Sequence, residues 1–568
     1  MKKFFVALAA VILFSLNQSS AQTSKSSGSA NKTSSSASKS SSSASSSSTS
    51  ASKSSGSVTK SSGSFSLKLS DEMKEPSNST IEEYLGQDDD AMYVLRKKIS
   101  GKGLAMFTMG MSEKEGYILE SYNNSLGLIT QTEIQPEVNG DKAGLDEVAF
   151  LDGHLYAYFI YVNKKSDETD LFYQPVNNKT LMLSGTPEKI AAIDYESKGK
   201  QGEFKYNISK DKKTIAITGI RHAEKEENEQ FHVYVFDANM ERMWDKDVTL
   251  KYDSKLFVNE GVLLDNKGNI YMRARIYNEV VKEKKKGEPN YYYKILSYRN
   301  NGSDYKEYSV NLKDKFITDL GCKVTDDDKL AIAGFYSDKG TTSIKGVCFM
   351  LVDAESQEII KQGSKDFDAS FLELFRRKDI NKKKDDPEIY EYDLDNIVVR
   401  SDGGALLLAE QYYVYVVTTT SRQGTLVTTR TDYYYHYNDI IAININPDMS
   451  IQWATKIPKR QTTVNDGGYY SSYSYAVKED KIYLVFNDDP DNLNQTDPRS
   501  IADYTSPKKS VSTLVTINSD GKWKKDLLFS NKEEGVILRP KICEQSAADQ
   551  MFLYAEKGNN YVIGKIML

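Results

Sequence analysis

Two kinds of turn alternate along this chain from residue 90 to its end, and their spacing constrains the fold more than any other feature. The first kind leads into an apolar run: SGKGLAMF (100–107), LDGHLYAYF (151–159), SKDKKTIAI (209–217), DNKGNIYM (265–272), TDDDKLAIAG (325–334), SDGGALLLA (401–409), KEDKIYLVF (478–486) and EQSAADQMFLY (544–554). The second kind follows an apolar run: SYNNSLGL, YQPVNNKTL, VFDANMERMW, YRNNGSDYKEY, VDAESQEII, INPDMSIQW and INSDGKWKK. Asn, Asp and Gly dominate both, because such turns need left-handed or side-chain-bonded backbone. The runs between them are rich in Val, Ile, Tyr and Phe, which suit packed, pleated surfaces. A period of roughly 50–80 residues with two turns of different kind marks units of four short antiparallel strands. Residues 401–460 are the clearest copy: strand, Gly turn, strand, long polar excursion, strand, NPD turn, strand.

Many of these strands are apolar on both faces (IIAININ, VCFMLV, LLLAEQ). That is expected of sheets packed against a neighbour on each side. The pattern predicts an all-β fold and resembles the β-propeller superfamily, with eight four-stranded blades favoured and seven as the alternative. The last unit, 537–568, supplies three strands, and SFSLKLS at 64–70 is expected to supply its outer one, closing the ring without an open edge. Trp244, Trp453 and Trp523 each stand just after a turn of the second kind, which resembles quinoprotein-type propeller repeats. The Ala-x-Asp-x-x-x-Gly run of that family is absent, and the resemblance brings no cofactor with it. The Asn, Lys and Tyr richness with the leader described next is also similar to uncharacterised secreted propellers of Bacteroidota.

Residues 1–21 read as a signal peptide: Lys2 and Lys3, an apolar stretch from Phe4 to Leu16, then Ser19 and Ala21. Residues 22–64 are almost wholly Ser, Ala, Thr, Gly and Lys, a tether with a reach of roughly 35 Å. Export to the periplasm, cell surface or medium is therefore expected, with residues 65–568 as the folded part. The chain up to Ser70 carries eight Lys and no acid, so the rest carries a net charge of about −14. An acidic body argues against a nucleic-acid partner. Beyond the leader no apolar run is long enough for a membrane span. Cys322, Cys348 and Cys543 sit in apolar strands and read as small buried hydrophobes rather than a disulfide framework.

All the long segments fall between second and third strands or between units: 221–230, 278–290, 418–432, 487–510 and 366–392. They therefore share one face, the pattern of a rigid scaffold presenting a binding surface. Within 366–392, Phe371, Leu372, Leu374 and Phe375 predict a short amphipathic helix capped by Asp368 or Ser370, with Arg376 and Arg377 toward solvent. Tyr is the unusual residue, with 38 copies. Clusters at Tyr412, Tyr413 and Tyr415, at Tyr433 to Tyr435 with Tyr437, and at Tyr469, Tyr470, Tyr473 and Tyr475 suit protein or sugar recognition. The candidate contact residues are Tyr412, Tyr413, Tyr433, Tyr435, His436, Tyr437, Phe371, Arg376 and Arg377. Asn487, Asp489 and Asp491 alternate as a calcium loop begins, without the Gly and Glu that complete one. No HExxH, GxSxG, Walker A or GxGxxG motif occurs, and none of His154, His222, His232 and His436 pairs with Cys at zinc spacing. The expected function is a non-enzymatic propeller binding a protein or polysaccharide of the cell envelope. The alternatives are a carbohydrate-active enzyme with a carboxylate pair and a structural envelope component.

Overall fold

The computed structural model describes residues 59–568, except 63–64, 77, 99–115, 196–200, 222–226, 311, 313–314, 326–328, 376–387, 401, 425, 496, 498–499 and 505. The signal peptide expected at 1–21 and most of the Ser-rich run fall outside them. The described chain is all-β, and consecutive strands pair antiparallel into successive sheets. Sheet one holds Ser79–Gln87, Met92–Lys98, Tyr117–Tyr122 and Leu128–Ile134. Sheets two to five run on in the same order from Gly144, Glu203, Phe257 and Phe316, and sheets six and seven from Tyr392 and Ser474. The last sheet joins Gln550–Lys557 and Asn560–Met567 to Phe65–Leu69, with Leu67 opposite Ile566 and Leu69 opposite Gly564. Thr59–Ser62, at the end of the Ser-rich run, pairs in turn with Phe65–Leu69, since an edge strand needs only backbone partners.

Eight apolar clusters of described residues lie between these sheets; seven are each shared by two neighbours in chain order, and the eighth by the last sheet and the first. One and two share Tyr93, Leu119, Phe150 and Leu155; five and six share Phe335, Phe349, Leu407 and Ile443. The series ends with Val485 and Leu528 of sheet seven against Leu67, Met551 and Leu553 of the last. Phe552 and Ile563 of the last sheet then pack with Met92 and Val94 of the first. The packing therefore returns to where it began, which explains strands that are apolar on both faces.

The first strands of neighbouring sheets touch one another, as Phe316–Val324 does Tyr392–Val399 and Ser474–Lys478 does Glu544–Ala547. They form the inner side. Fourth strands such as Ile359–Asp366 are largely exposed and form the outer side. Trp244 and Trp453, each at the start of a fourth strand, donate their indole N–H to turns of the next sheet, at Gly268 (3.0 Å) and Ser519 (2.8 Å). That docking is the physical use of the turn-then-Trp pattern. The three cysteines are free thiols.

Two sequence expectations need correction. SGKGLAMF does not lead from a first strand to a second: it lies in 99–115, between the second and third strands of sheet one and outside the described residues. The first-to-second turn is Asp88–Ala91, where Asp88 accepts from the N–H groups of Asp90 and Ala91. The polar excursion at 418–432 is not a loop. Its β-branched Thr and Val continue the flanking strands, Ala405–Gln423 and Leu426–Ile445, into a long hairpin arm.

Close packing leaves no room at Gly334, where an added Cβ meets the Asp319 carbonyl oxygen at 2.1 Å. Gly334→Ala is expected to abolish the folded protein or lower its melting temperature by about 5 °C or more, because the obstruction is backbone that cannot rotate away. Thermal denaturation of the purified variant checks this.

Candidate functional site

In sheets of this connectivity, second-to-third loops and sheet-to-sheet connections emerge at one end. The arm stands at that end. Its outgoing and returning strands pair from Tyr412↔Tyr437 to Gln423↔Leu426, after a one-residue bulge of the returning strand, where Asn438 and Asp439 together oppose Gln411. Gln461–Val464 adds a third strand along Tyr434–Tyr437. Alternation puts Tyr413, His436 and Thr462 in one row of one face, with Tyr415, Tyr434 and Val464 in the next. The Tyr413 and His436 rings stack with centroids 4.4 Å apart, and Thr462 Oγ1 lies 3.0 Å from His436 Nδ1. Burial lowers the His436 pKa, which favours the neutral ring. Tyr415 is 62% exposed and Val464 43%, so the second row is open to solvent. The other face carries Tyr412, Tyr437, Val414, Tyr435, Val416 and Tyr433.

The candidate residues separate accordingly. Tyr412 and Tyr413 are half-buried and Tyr433 is exposed, whereas Tyr435 and Tyr437 are buried. Phe371 is also buried, edge-on to Phe367 and Phe375 beneath the helix Ala369–Glu373, whose cap is Asp368. These last three face the protein's own packing rather than solvent. Arg376 and Arg377 lie outside the described residues. The calcium reading also loses a ligand. The Asn487 amide oxygen accepts from Ser512 and Asn531 inside the core, while Asp489 caps the short helix that begins at Pro490. Among the described residues no cluster of three or more metal-binding side chains occurs.

Beside the root of the arm lies a polar network that sequence reasoning missed. Glu410, next to the bulge, is paired with the Lys459 ammonium and accepts from Ser472 at 2.7 Å. Lys541 reaches the Tyr437 hydroxyl at 2.9 Å, and burial lowers its pKa to about 8. Two residues earlier the Arg539 guanidinium lies 3.4 Å from the centre of the Tyr469 ring and donates to Glu556 at 2.8 Å. The Tyr554 hydroxyl bridges Glu556 and Glu75, at 2.7 Å from the latter. That hydroxyl holds the two carboxyls close to one another. Burial and the Glu556 charge push Glu75 up to about 8; against the desolvation it too feels, Arg539 holds Glu556 down near about 2. Arg96, fully buried with Glu120 at 2.9 Å and Glu75 at 3.5 Å, continues the network into sheet one.

The inner strands add a second pattern. Six of the eight are bulged against their second strand, leaving over Glu82, Leu85, Asp146, Glu260, Thr318, Asp395 and Ser546. All but Leu85 are polar, and four are carboxylates; a bulge re-aims its extra side chain. Asp146 accepts from Tyr206 and Asp395 from Tyr473, both at 2.7 Å and both from the following sheet. Desolvation, with Asp319, Glu391 and Glu410 nearby, pushes Asp393 up to about 7; desolvation, with Glu410, Asp393 and Asp319 nearby, pushes Asp395 well above the carboxylate range against the Tyr473 hydrogen bond. The available signal was a polar doublet interrupting an inner strand: I-EE-Y at 81–84, L-DE-V at 145–148 and L-DN-I at 394–397. A separate cavity of about 420 Å³ between sheets four and five is lined by Tyr291, Tyr292, Tyr293 and Lys315.

No protein-family model and no curated protein matches the chain. Solved structures do. The β-propeller domain of the trilobed protease from Pyrococcus furiosus matches at 9% identity and TM-score 0.33, covering 79% of this chain and 97% of that one. Oligogalacturonate lyase from Vibrio parahaemolyticus matches at 8% identity and TM-score 0.37, covering 90% and 96%. Prolyl oligopeptidase B from Galerina marginata matches at 9% and 0.36, covering 84% of this chain and 55% of its own length.

Proposed function

We propose that this chain is an exported eight-bladed β-propeller, closed by Phe65–Leu69, that binds a protein or glycan partner through its arm-bearing face. The observation that carries the reading is the half-exposed aromatic face of the arm, with Tyr413, His436, Tyr415 and Tyr434 on a rigid three-stranded base. Rigid aromatic side chains give contact area at little entropic cost, which suits recognition. The test is capture of envelope polysaccharides and proteins on the immobilised chain. Changing Tyr413 and Tyr415 together to Ala is expected to reduce capture at least tenfold with an unchanged melting temperature. Undiminished capture counts against the reading.

A second reading, a carbohydrate-active enzyme, is favoured by two carboxyls on one inner strand, Asp393 and Asp395: the first is pushed up to about 7, which suits a general acid near neutral pH, and the second is also raised. Glu75 and Glu556 do not serve it: carboxyls bridged by one tyrosine hydroxyl leave no space for a sugar between them. Turnover of a polysaccharide that is lost in Asp395→Asn would establish this reading over the first.

A further inference from the structure

Beyond Gln411 the outgoing arm strand has no strand on its outer edge among the described residues. Its pairing with Tyr392–Val399 ends at Tyr392↔Gln411, and only the returning strand accompanies it further. The Tyr412 N–H points outward, donating to the Glu391 carbonyl at 2.8 Å. By the alternation of an antiparallel ladder, Val414, Val416, Thr418, Thr420 and Arg422 then aim their N–H and C=O groups outward as well. Free edges are usually blunted by Pro, Lys or a bulge. From Tyr412 to Gln423 this one has no Pro, no Lys and no register shift.

We propose that this edge pairs, antiparallel and about a two-fold axis, with the same edge of a second copy of this chain, joining two arms into one four-stranded sheet. With Thr418 on the axis, Val416 lies opposite Thr420 of the second copy, and Val414 opposite its Arg422. β-branched residues thus face one another, in the self-complementary arrangement a two-fold interface requires. Charge selects this occupant. Within the arm Arg430 is paired with Asp432 at 2.8 Å, which leaves Arg422 as the charge near the tip, whereas exposed Glu391 stands at the root. Antiparallel pairing carries each tip to the other root, so Arg422 of one copy comes beside Glu391 of the other. A foreign strand has no such fixed complement.

The pairing is separable from ligand capture, because Thr418 lies on the opposite face from Tyr413 and Tyr415. Sedimentation of the full chain between about 1 and 100 µM is expected to show a monomer–dimer equilibrium. Thr418→Lys sets two like charges on the axis and is expected to weaken the dimer at least tenfold, with folding and capture unchanged. Arg422→Glu is expected to weaken it as well, and Arg422→Glu with Glu391→Lys to restore it to within about threefold. A chain that stays monomeric at 100 µM overturns the proposal. So does a dimer indifferent to Thr418→Lys, or a charge reversal without rescue.

Discussion

Deleting Thr59–Leu69 is expected to cost the protein its soluble, folded state. The segment is the outer strand of the last sheet, paired over Ser66↔Met567 to Leu69↔Gly564. Leu67 is fully buried and packs with Leu553, Ile566 and Leu528. Without it the Asn560–Met567 strand becomes an unpaired edge beside exposed apolar residues, the combination that leads to aggregation. Losing Leu67 alone is worth about 2–5 kcal/mol, and Phe65 and Leu69 go with it. Refolding yield and melting temperature measure the loss. A peptide of residues 58–70 supplied in trans is expected to recover part of both, because it can refill the same slot. A truncated protein as stable as the full chain would show that the last sheet holds without its outer strand.

The second large effect is a loss of stability as pH rises from about 4.5 to about 8, centred on Glu75. The folded protein keeps the Glu75 proton up to about 8, whereas the unfolded chain releases it near the ordinary value of 4.5. Across that window the unfolded state binds fewer protons, so stability falls with rising pH. Below about 4.5 the contribution is fully present. Glu556 works in the opposite sense: held near about 2, it contributes stability that is lost only as pH falls below 4.5. Glu75 follows Met73–Lys74, which pairs with Tyr561 and Asn560, so the pH response should appear at the closure of the last sheet. Amide exchange at Leu67 and Leu69, corrected for intrinsic rates, is expected to speed at least tenfold between pH 5 and 8. Glu75→Gln keeps the hydrogen bond without the charge and is expected to flatten the profile. An unchanged profile in that variant would place the proton elsewhere.

The strand order was legible because turns and strand lengths are local matters. Asn, Asp and Gly at turn positions and β-branched residues between them act within a few residues of one another. The arm was misread for the same reason. VVTTTSRQGTLVTTRTD is polar enough for a loop, and only pairing across Thr418↔Thr431 and Thr420↔Thr429 reveals strands. The polar network was illegible because its members come from distant parts of the chain. Glu75 and Glu556 meet only when the last sheet receives its N-terminal strand, and nothing in either neighbourhood marks the other. The bulged carboxylates lie between these cases. Their doublets are visible in sequence, but their aim depends on register with the second strand.

Joining Leu67 to Ile566 sets an order on how the molecule assembles. These partners are nearly 500 residues apart. Closing so long a loop from the disordered chain costs about 2 kcal/mol more than closing one ten times shorter. Each four-stranded sheet closes over tens of residues, so sheets one to seven can form and stack in chain order first. That stacking carries the two ends together, and the final pairing then costs little. The pairing of Leu67 with Ile566 is therefore the step of assembly that waits for every sheet between them.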